Sequence, residues 1–294
     1  MSMLHPGSKA KEKLLSPRMK GLFMTLAGAF CFSLIPIWVR SIESYSSMSI
    51  AFFRALIGMI FLLFWVMQSH GVAGIIEVRR LRGKYKLALL CVGLSMCITP
   101  VTYYLAIMKT SVAKAVLLHY TAPIYVAILS PFILKEKNTA LTWFAVGTGL
   151  FGTALITEPA SLLQSDPDEI LGIISAMISG LGLAGHLSAL VRALWGCAAV
   201  VAILFPFGIL IPSGFFWQNL PFLLMLGTVS LAIPYALFFK GANYITAQSA
   251  SVVSLFEPVC GIGIGFLFFG ESLSVPGFFG AGIVLMSIYI ATRR

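Results

Sequence analysis

Charge is what this chain has least of. Only 10% of its 294 residues are Asp, Glu, Lys or Arg, against roughly 25% in a soluble domain, and this excludes a water-facing globular surface. Acid is scarcer still, ten Asp and Glu beside twenty Lys and Arg, and no acidic cluster of the kind that holds magnesium is present. The five cysteines, Cys31, Cys91, Cys97, Cys197 and Cys260, form no CxxC pair and have no histidine at ligand spacing, so neither a disulfide framework nor a zinc site is expected. A P-loop and an HExxH motif are also missing, and no cofactor or metal is implied. Gly261, Gly263 and Gly265 stand among Ile, Phe and Leu with no lysine after them, which reads as helix packing rather than phosphate binding. The GxxxG of Gly261 and Gly265 is also the pattern of a dimerisation face, so monomer and homodimer both stay open.

What the chain has is apolar length. Hydrophobic residues make up 59% of it and the mean hydropathy is +0.97, in runs near the ~20 residues that a helix needs to cross a bilayer. Because hydrocarbon offers the backbone no hydrogen-bond partners, the expected fold class is an all-α polytopic membrane protein. Ten transmembrane helices are expected, at 21–39, 48–68, 85–107, 112–134, 139–157, 170–188, 190–210, 220–240, 247–269 and 274–291. Residues 1–20 form a basic tail with Pro6 and Pro17, read as a cytosolic anchor and not as a cleaved signal.

The stretch 115–137, AVLLHYTAPIYVAILSPFILKEK, returns as 250–272, ASVVSLFEPVCGIGIGFLFFGES. Pro123 aligns with Pro258 and Glu136 with Glu271, and the register continues through Phe144 and Phe279, Gly147 and Gly282, and Leu150 and Leu285. At an offset one residue shorter, Pro100 matches Pro234. Ten spans in two copies means five each, and an odd number sends the second copy in from the opposite side. The expected domains are 21–157 and 170–294, two inverted five-helix repeats joined by an outer linker at 158–169. Only 13 residues separate Ser179 from Arg192, where 21 separate Ser33 from Arg54. The connection between spans six and seven is thus short, so that either His186 or Arg192 lies deeper than usual or one helix stops short.

Basic residues mark the cytoplasmic side. With the N-terminus inside, sixteen Lys and Arg fall on that side: five in the tail, five from Arg79 to Lys86, then Lys135, Lys137, Arg192, Lys240, Arg293 and Arg294. Three fall outside, Arg40, Lys109 and Lys114, which are read as a vestibule rim; Arg54, at the start of span two, is left unassigned. Both termini are therefore expected in the cytoplasm of a cell inner (plasma) membrane protein. The net charge of +10 reads as topology rather than as nucleic-acid binding, because the charges lie on loops between spans.

In inverted-repeat carriers, paired Pro- or Gly-interrupted spans point to the binding site. Pro100 with Pro234 as helix breaks, and Pro123 with Pro258, place it between spans three, four, eight and nine. Glu257 lies about 15 Å into its span at ~1.5 Å per residue, near the middle of the core, where an ionisable group marks function by default. Its role is open between proton coupling, a counter-charge for a substrate amine, and a structural hydrogen bond into the break at Pro258. His119 and Tyr120, one turn before Pro123, and Tyr103, Tyr104 and Tyr235 beside the other prolines complete the candidate substrate-binding set; for the histidine and the rings, packing is the competing reading. Trp38, Trp143 and Trp217 near span ends are read as interfacial anchors. Glu136 and Glu271 end spans on opposite sides of the membrane and are not a catalytic pair.

The first-half YTAP with its Lys-Glu-Lys end, the second-half FEPV followed by FFGES, FFRAL at 52–56 with LVRAL at 190–194, and the closing GFFGAGIVL resemble the EamA-type branch of the drug/metabolite transporter superfamily, across the chain after residue 20. The resemblance implies a secondary transporter that exports small organic metabolites such as amino acids by alternating access. The alternatives are an uptake or exchange carrier for a nucleoside-type compound or S-adenosylmethionine, with protons as a coupling partner in either case. A membrane-embedded enzyme is disfavoured by the lack of a nucleophile–base or metal constellation, and a receptor by the lack of a large extramembrane domain. The topology has a direct test: alkaline phosphatase fused after Arg294 should be inactive and a fluorescent protein there bright, and the reverse pattern would overturn the orientation.

Overall fold

The computed structural model describes residues 16–76, 83–109, 139–157, 189–209, 213–270 and 275–292. Every regular element among them is helical: α1 (Pro17–Ser33), α2 (Ile35–Ser41), α3 (Ser47–Ile76), α4 (Gly83–Lys109), α5 (Ala140–Thr157), α6 (Ala189–Ile209), α7 (Ser213–Gly227), a π-helical turn (Thr228–Ala232), α8 (Ile233–Ala242), α9 (Ala247–Ser254), α10 (Phe256–Phe269) and α11 (Val275–Thr292). Among the described residues, four stretches are long and apolar enough to cross a membrane by length and composition, Pro17–Ser41, Ser47–Ala73, Phe216–Phe238 and Val252–Phe269. The expected spans at 112–134 and 170–188 lie outside the described residues.

Local chemistry sets the helix ends. Ser16 caps α1, its hydroxyl accepting the Met19 N–H at 3.3 Å, and Pro17 takes the first helical position, where a missing N–H costs nothing. Thr246 caps α9 in the same way through the Ser249 N–H at 3.2 Å. Gly71, with φ +61° and ψ −171°, breaks the helical path of α3 where the expected second span runs out, and Gly270 ends α10 with φ +63°, left-handed values that favour glycine.

Three expected spans are interrupted, and each interruption is attached to a proline. The first span divides at Leu34, two residues before Pro36, into α1 and α2. The eighth passes through the π turn just before Pro234, and the ninth divides at Leu255, three residues before Pro258. Proline removes the N–H that an α-helix sends four residues back, so the helix does not continue cleanly through it. Pro100 behaves differently from the expected helix break: α4 runs through it from Gly83 to Lys109 as one helix. A proline inside a buried span is tolerated where neighbouring helices repack around it, so the broken backbone belongs to Pro36 and Pro258 and the distorted turn to Pro234.

Large apolar side chains face outward all round the bundle, among them Phe64, Trp217, Leu267 and Phe278, a surface that suits lipid and not water. Trp143 and Trp217 point outward. Trp38 corrects the anchor reading: it is half-buried and its indole N–H donates to Ser230 Oγ at 3.2 Å, deep in the bundle. Gly261 and Gly265 are buried and Gly263 between them is exposed.

The principal helix pairs are α1 with α8, α3 with α6, α4 with α6, and α5 with α11, while α3 also packs on α7 and the π turn. Small residues make these approaches close. A Cβ on Gly227 would stand 2.6 Å from Ile57 Cβ of α3, and one on Gly241 of α8 would stand 2.5 Å from Thr25 Oγ1 and 2.7 Å from Gly21 O of α1. Gly241→Leu should therefore lower the denaturation midpoint of the purified protein by the equivalent of ~1–3 kcal/mol for an overpacked contact. Gly263→Ala, where a Cβ meets nothing within 4 Å, should leave it unchanged; equal effects would refute the tight α1–α8 contact.

Candidate functional site

The site grows out of one backbone carbonyl. In an α-helix Ser230 O would accept a hydrogen bond from the N–H four residues on, and that residue is Pro234, which has none. The chain winds wider here, the Ile233 N–H reaching back five residues to Thr228 O, the π pattern that frequently marks functional segments. Arg54 of α3 brings the missing donor: its Nη2 donates to Ser230 O at 2.7 Å. Ser230 Oγ donates in turn to Cys31 O at 3.1 Å, beside the break at Leu34, while accepting from Trp38 of α2. A single buried serine thus joins α1, α2, α3 and the π turn. It serves backbone and side-chain groups that would otherwise sit unpaired in hydrocarbon, at several kcal/mol each.

Arg54 is buried, 6% exposed. Its guanidinium carbon lies 5.7 Å from the Tyr104 ring centroid, within reach of a cation–π contact. Glu257, also 6% exposed, occupies the first turn of α10 immediately after the break at Leu255. The positive end of the helix favours a carboxylate there, and Pro258 in that same turn lacks an N–H that would be unpaired in any case. Arg54 and Glu257 are close enough that the charges of both act on Tyr103, Tyr104 and Tyr235. The fields of a buried cation and a buried carboxylate thus both reach the same three tyrosines. A small space of about 10 Å³, room for about one water molecule, opens among α3, α4, α6, the π turn and α8; Arg54, Met96, Pro100, Cys197, Leu231 and Tyr235 are in its wall.

Of the residues expected from the sequence, Pro100 and Tyr235 line this space, Tyr104 lies against Arg54 with Tyr103 6.3 Å away ring to ring, and Glu257 stands outside its wall, its charge reaching the three tyrosines. Pro234 takes part through the carbonyl it leaves unpaired, and its own carbonyl faces Gly28 of α1. Pro258 is buried beside Glu257 at the start of α10. His119, Tyr120 and Pro123 lie outside the described residues, as does Lys114. Arg40, expected at an outer rim, stacks its guanidinium 4.6 Å from the Phe269 ring centroid and so ties the end of α2 to the end of α10. The residues that sequence reasoning passed over are Arg54, Ser230 and Pro36. Arg54 carried its own signal, an arginine inside the apolar run IAFFRALIGM, since an ionisable residue within a span is a functional-site hypothesis by default. Ser230 carried none, being one of many serines.

The family model for the EamA-like transporter family matches residues 19–158 and again 170–293. The chain belongs to that family. It is 28% identical over 274 residues to a transporter of Archaeoglobus fulgidus described only as uncharacterized, covering 88% of this chain and 92% of that one. It is 26% identical over 289 residues to the uncharacterized inner membrane transporter YicL of Salmonella typhimurium, covering 92% and 94%. The mouse solute carrier family 35 member G1 matches over 180 residues at 27%, or 60% of this chain and 47% of that protein. A solved crystal structure superposes with a TM-score of 0.74 at 16% identity, covering 93% of this chain and 96% of that one, a likeness of fold. This EamA-family chain is a multi-pass membrane transporter and not an enzyme, and its two matched segments are duplicated halves.

The Ser230 node has a quantitative test. Pro234→Ala returns an N–H that can serve Ser230 O, so the stability lost in Arg54→Met, which has no donor, should be smaller by ~1 kcal/mol in the Pro234→Ala background. A double-mutant cycle on denaturation midpoints measures this, and additive effects would refute the account of Arg54 as the substitute donor.

Proposed function

We propose that this protein is a secondary transporter that exports small organic metabolites such as amino acids across the inner membrane, by alternating access of two inverted five-helix halves, ten spans in all. The observation that carries the reading is the buried pair of opposite charges, Arg54 and Glu257, set around three tyrosines where interrupted helices meet. Broken helices with charged groups at the midplane are how carriers of this design hold polar solutes.

The helix pairing supports the inverted halves. On the ten-span numbering, α3 with α6 joins spans two and seven, and α5 with α11 joins five and ten, so each of these interfaces pairs a span with its own counterpart. The pairing of α4 with α6, spans three and seven, is mirrored by that of α3 with α7, spans two and eight. Exchanging the halves carries each of these interfaces onto itself or its mirror, while the counterpart of α1 with α8 would need span six, which lies outside the described residues. The cavity lies among α3, α4, α6 and α8, elements of both halves, so rocking one half against the other would open it to either side. Glu257, beside the break at Leu255, is the group we assign to proton coupling. The inner-membrane placement, with both termini cytoplasmic, follows the charge asymmetry and the likeness to YicL.

The test is flux in liposomes. Purified protein should move at least one labelled amino acid or nucleoside, and an imposed proton gradient should drive accumulation that Glu257→Gln abolishes while exchange persists. Flux indifferent to both gradient and mutation would remove Glu257 from coupling; no flux on the whole panel would sink the transport reading of this site.

A further inference from the structure

Pro100 and Pro234, at matched places in the two halves, each withhold an N–H from the carbonyl four residues back. At Pro234 the carbonyl is Ser230 O, and Arg54 Nη2 replaces the donor directly. At Pro100, inside α4, it is Met96 O. A threonine hydroxyl can serve a carbonyl one turn back, as Thr102 Oγ1 serves Ile98 O at 2.9 Å and Thr99 O at 3.0 Å. Thr99, three residues after Met96, makes no hydrogen bond through its buried hydroxyl, so this route to Met96 O is not taken. Among the described residues the buried Arg54 Nε has no hydrogen-bond partner either. Arg54, Met96 and Pro100 share the wall of the space of about 10 Å³, whose other lining is apolar apart from Cys197 and Tyr235. A donor and an acceptor that lack partners thus border a volume about the size that a single water molecule requires.

We propose that this space is the binding site of one structural water, which accepts from Arg54 Nε and donates to Met96 O. The chemistry of the two walls selects the ligand. A halide would answer Nε but has no hydrogen to give Met96 O, and a metal cation would suit Met96 O but meet the charge of the guanidinium at close range. Water does both, and a bond through water is nearly as favourable as a direct one. Ordered water is also one of the agents that restore backbone bonding around a proline within a span, which gives α4 a reason to pass Pro100 undivided. One arginine then repairs both halves, directly at Ser230 O and through water at Met96 O. Two such tasks in different directions call for the separate N–H groups of a guanidinium, where a glutamine would reach only one carbonyl. The site does not depend on which solute the protein carries.

The direct test is a density map of the purified full-length protein at a resolution that shows other buried waters. A solvent peak should stand about 2.7–3.2 Å from both Arg54 Nε and Met96 O. In Pro100→Ala, which returns the N–H that Met96 O lacks, the contact of the peak with Met96 O should give way to the ordinary helical bond. Unfolding equilibria supply a second reading. The factor by which Arg54→Met raises the unfolding constant should be about fivefold smaller in the Pro100→Ala background, the worth of one hydrogen bond. A wild-type map with buried waters elsewhere and none here overturns the proposal. So does a peak that touches only one of the two atoms, or one too dense for water with contacts stretched beyond that range, the mark of a halide. Additive effects of the two substitutions, or a Met96 contact unchanged in Pro100→Ala, overturn it as well. Should Arg54→Met not fold, the wild-type and Pro100→Ala maps decide the matter.

Discussion

Everything in the described bundle turns on the need to satisfy one main-chain carbonyl in hydrocarbon. Pro234 withholds the N–H that Ser230 O would take from an ordinary α-helix, and inside a bilayer no water stands ready to replace it. The 2.7 Å bond from Arg54 answers that need, and it requires a buried guanidinium, a close approach of α3 to the π turn, and small residues to permit the approach. Gly227 against Ile57 meets the last condition. The same bond that repairs the helix thereby fixes the Arg54 guanidinium inside the bundle.

The interruptions of the first and ninth spans follow the same logic with different partners. At Leu34, the nearby Cys31 carbonyl is taken up by the Ser230 hydroxyl, and α2 is held by Trp38 on one side and by the stacking of Arg40 on Phe269 on the other. Beyond α2 the tie continues, Glu43 N–H donating to Asn219 Oδ1 at 3.2 Å and Asn219 Nδ2 to Glu43 O at 3.0 Å. At Leu255, the break places Glu257 in the first turn of α10, where the helix itself favours a negative charge. The half-helices meet at single residues, Leu34 and Leu255, that keep right-handed dihedrals while the hydrogen-bond ladder tightens there to i→i−3 bonds, Ile37 N–H to Leu34 O and Leu255 N–H to Val252 O.

Much of this was legible in the residues. The apolar runs at 21–39, 48–68, 220–240 and 247–269 correspond to the helices long enough to cross a membrane, because length and hydropathy are properties of the segment alone. Tyr103, Tyr104, Tyr235 and Glu257 were found by their nearness to matched prolines. Arg54 was visible too, yet its place at the opening of its span read as an unassigned charge, because the direction of a long side chain depends on what lies opposite. Trp38 read as an anchor for the same reason: proximity to a span end is a sequence property, whereas turning inward toward Ser230 is not.

Composition and the echo of 115–137 in 250–272 determined by themselves that this is a helical membrane protein with duplicated halves, and the motifs that resemble the EamA type added that it is a transporter. The bilayer imposes those features segment by segment, through hydrocarbon thickness and the cost of an unpaired backbone. The tertiary structure alone decided which prolines break a helix and which are absorbed, with Pro100 absorbed and Pro36 not. It alone decided that Ser230 binds four elements together, and that the charges of Arg54 and Glu257, 203 positions apart, act on the same three tyrosines. The reason is range: a hydrogen bond or a charge acts over a few ångströms of space, and sequence separation does not record which residues the packing brings within that distance.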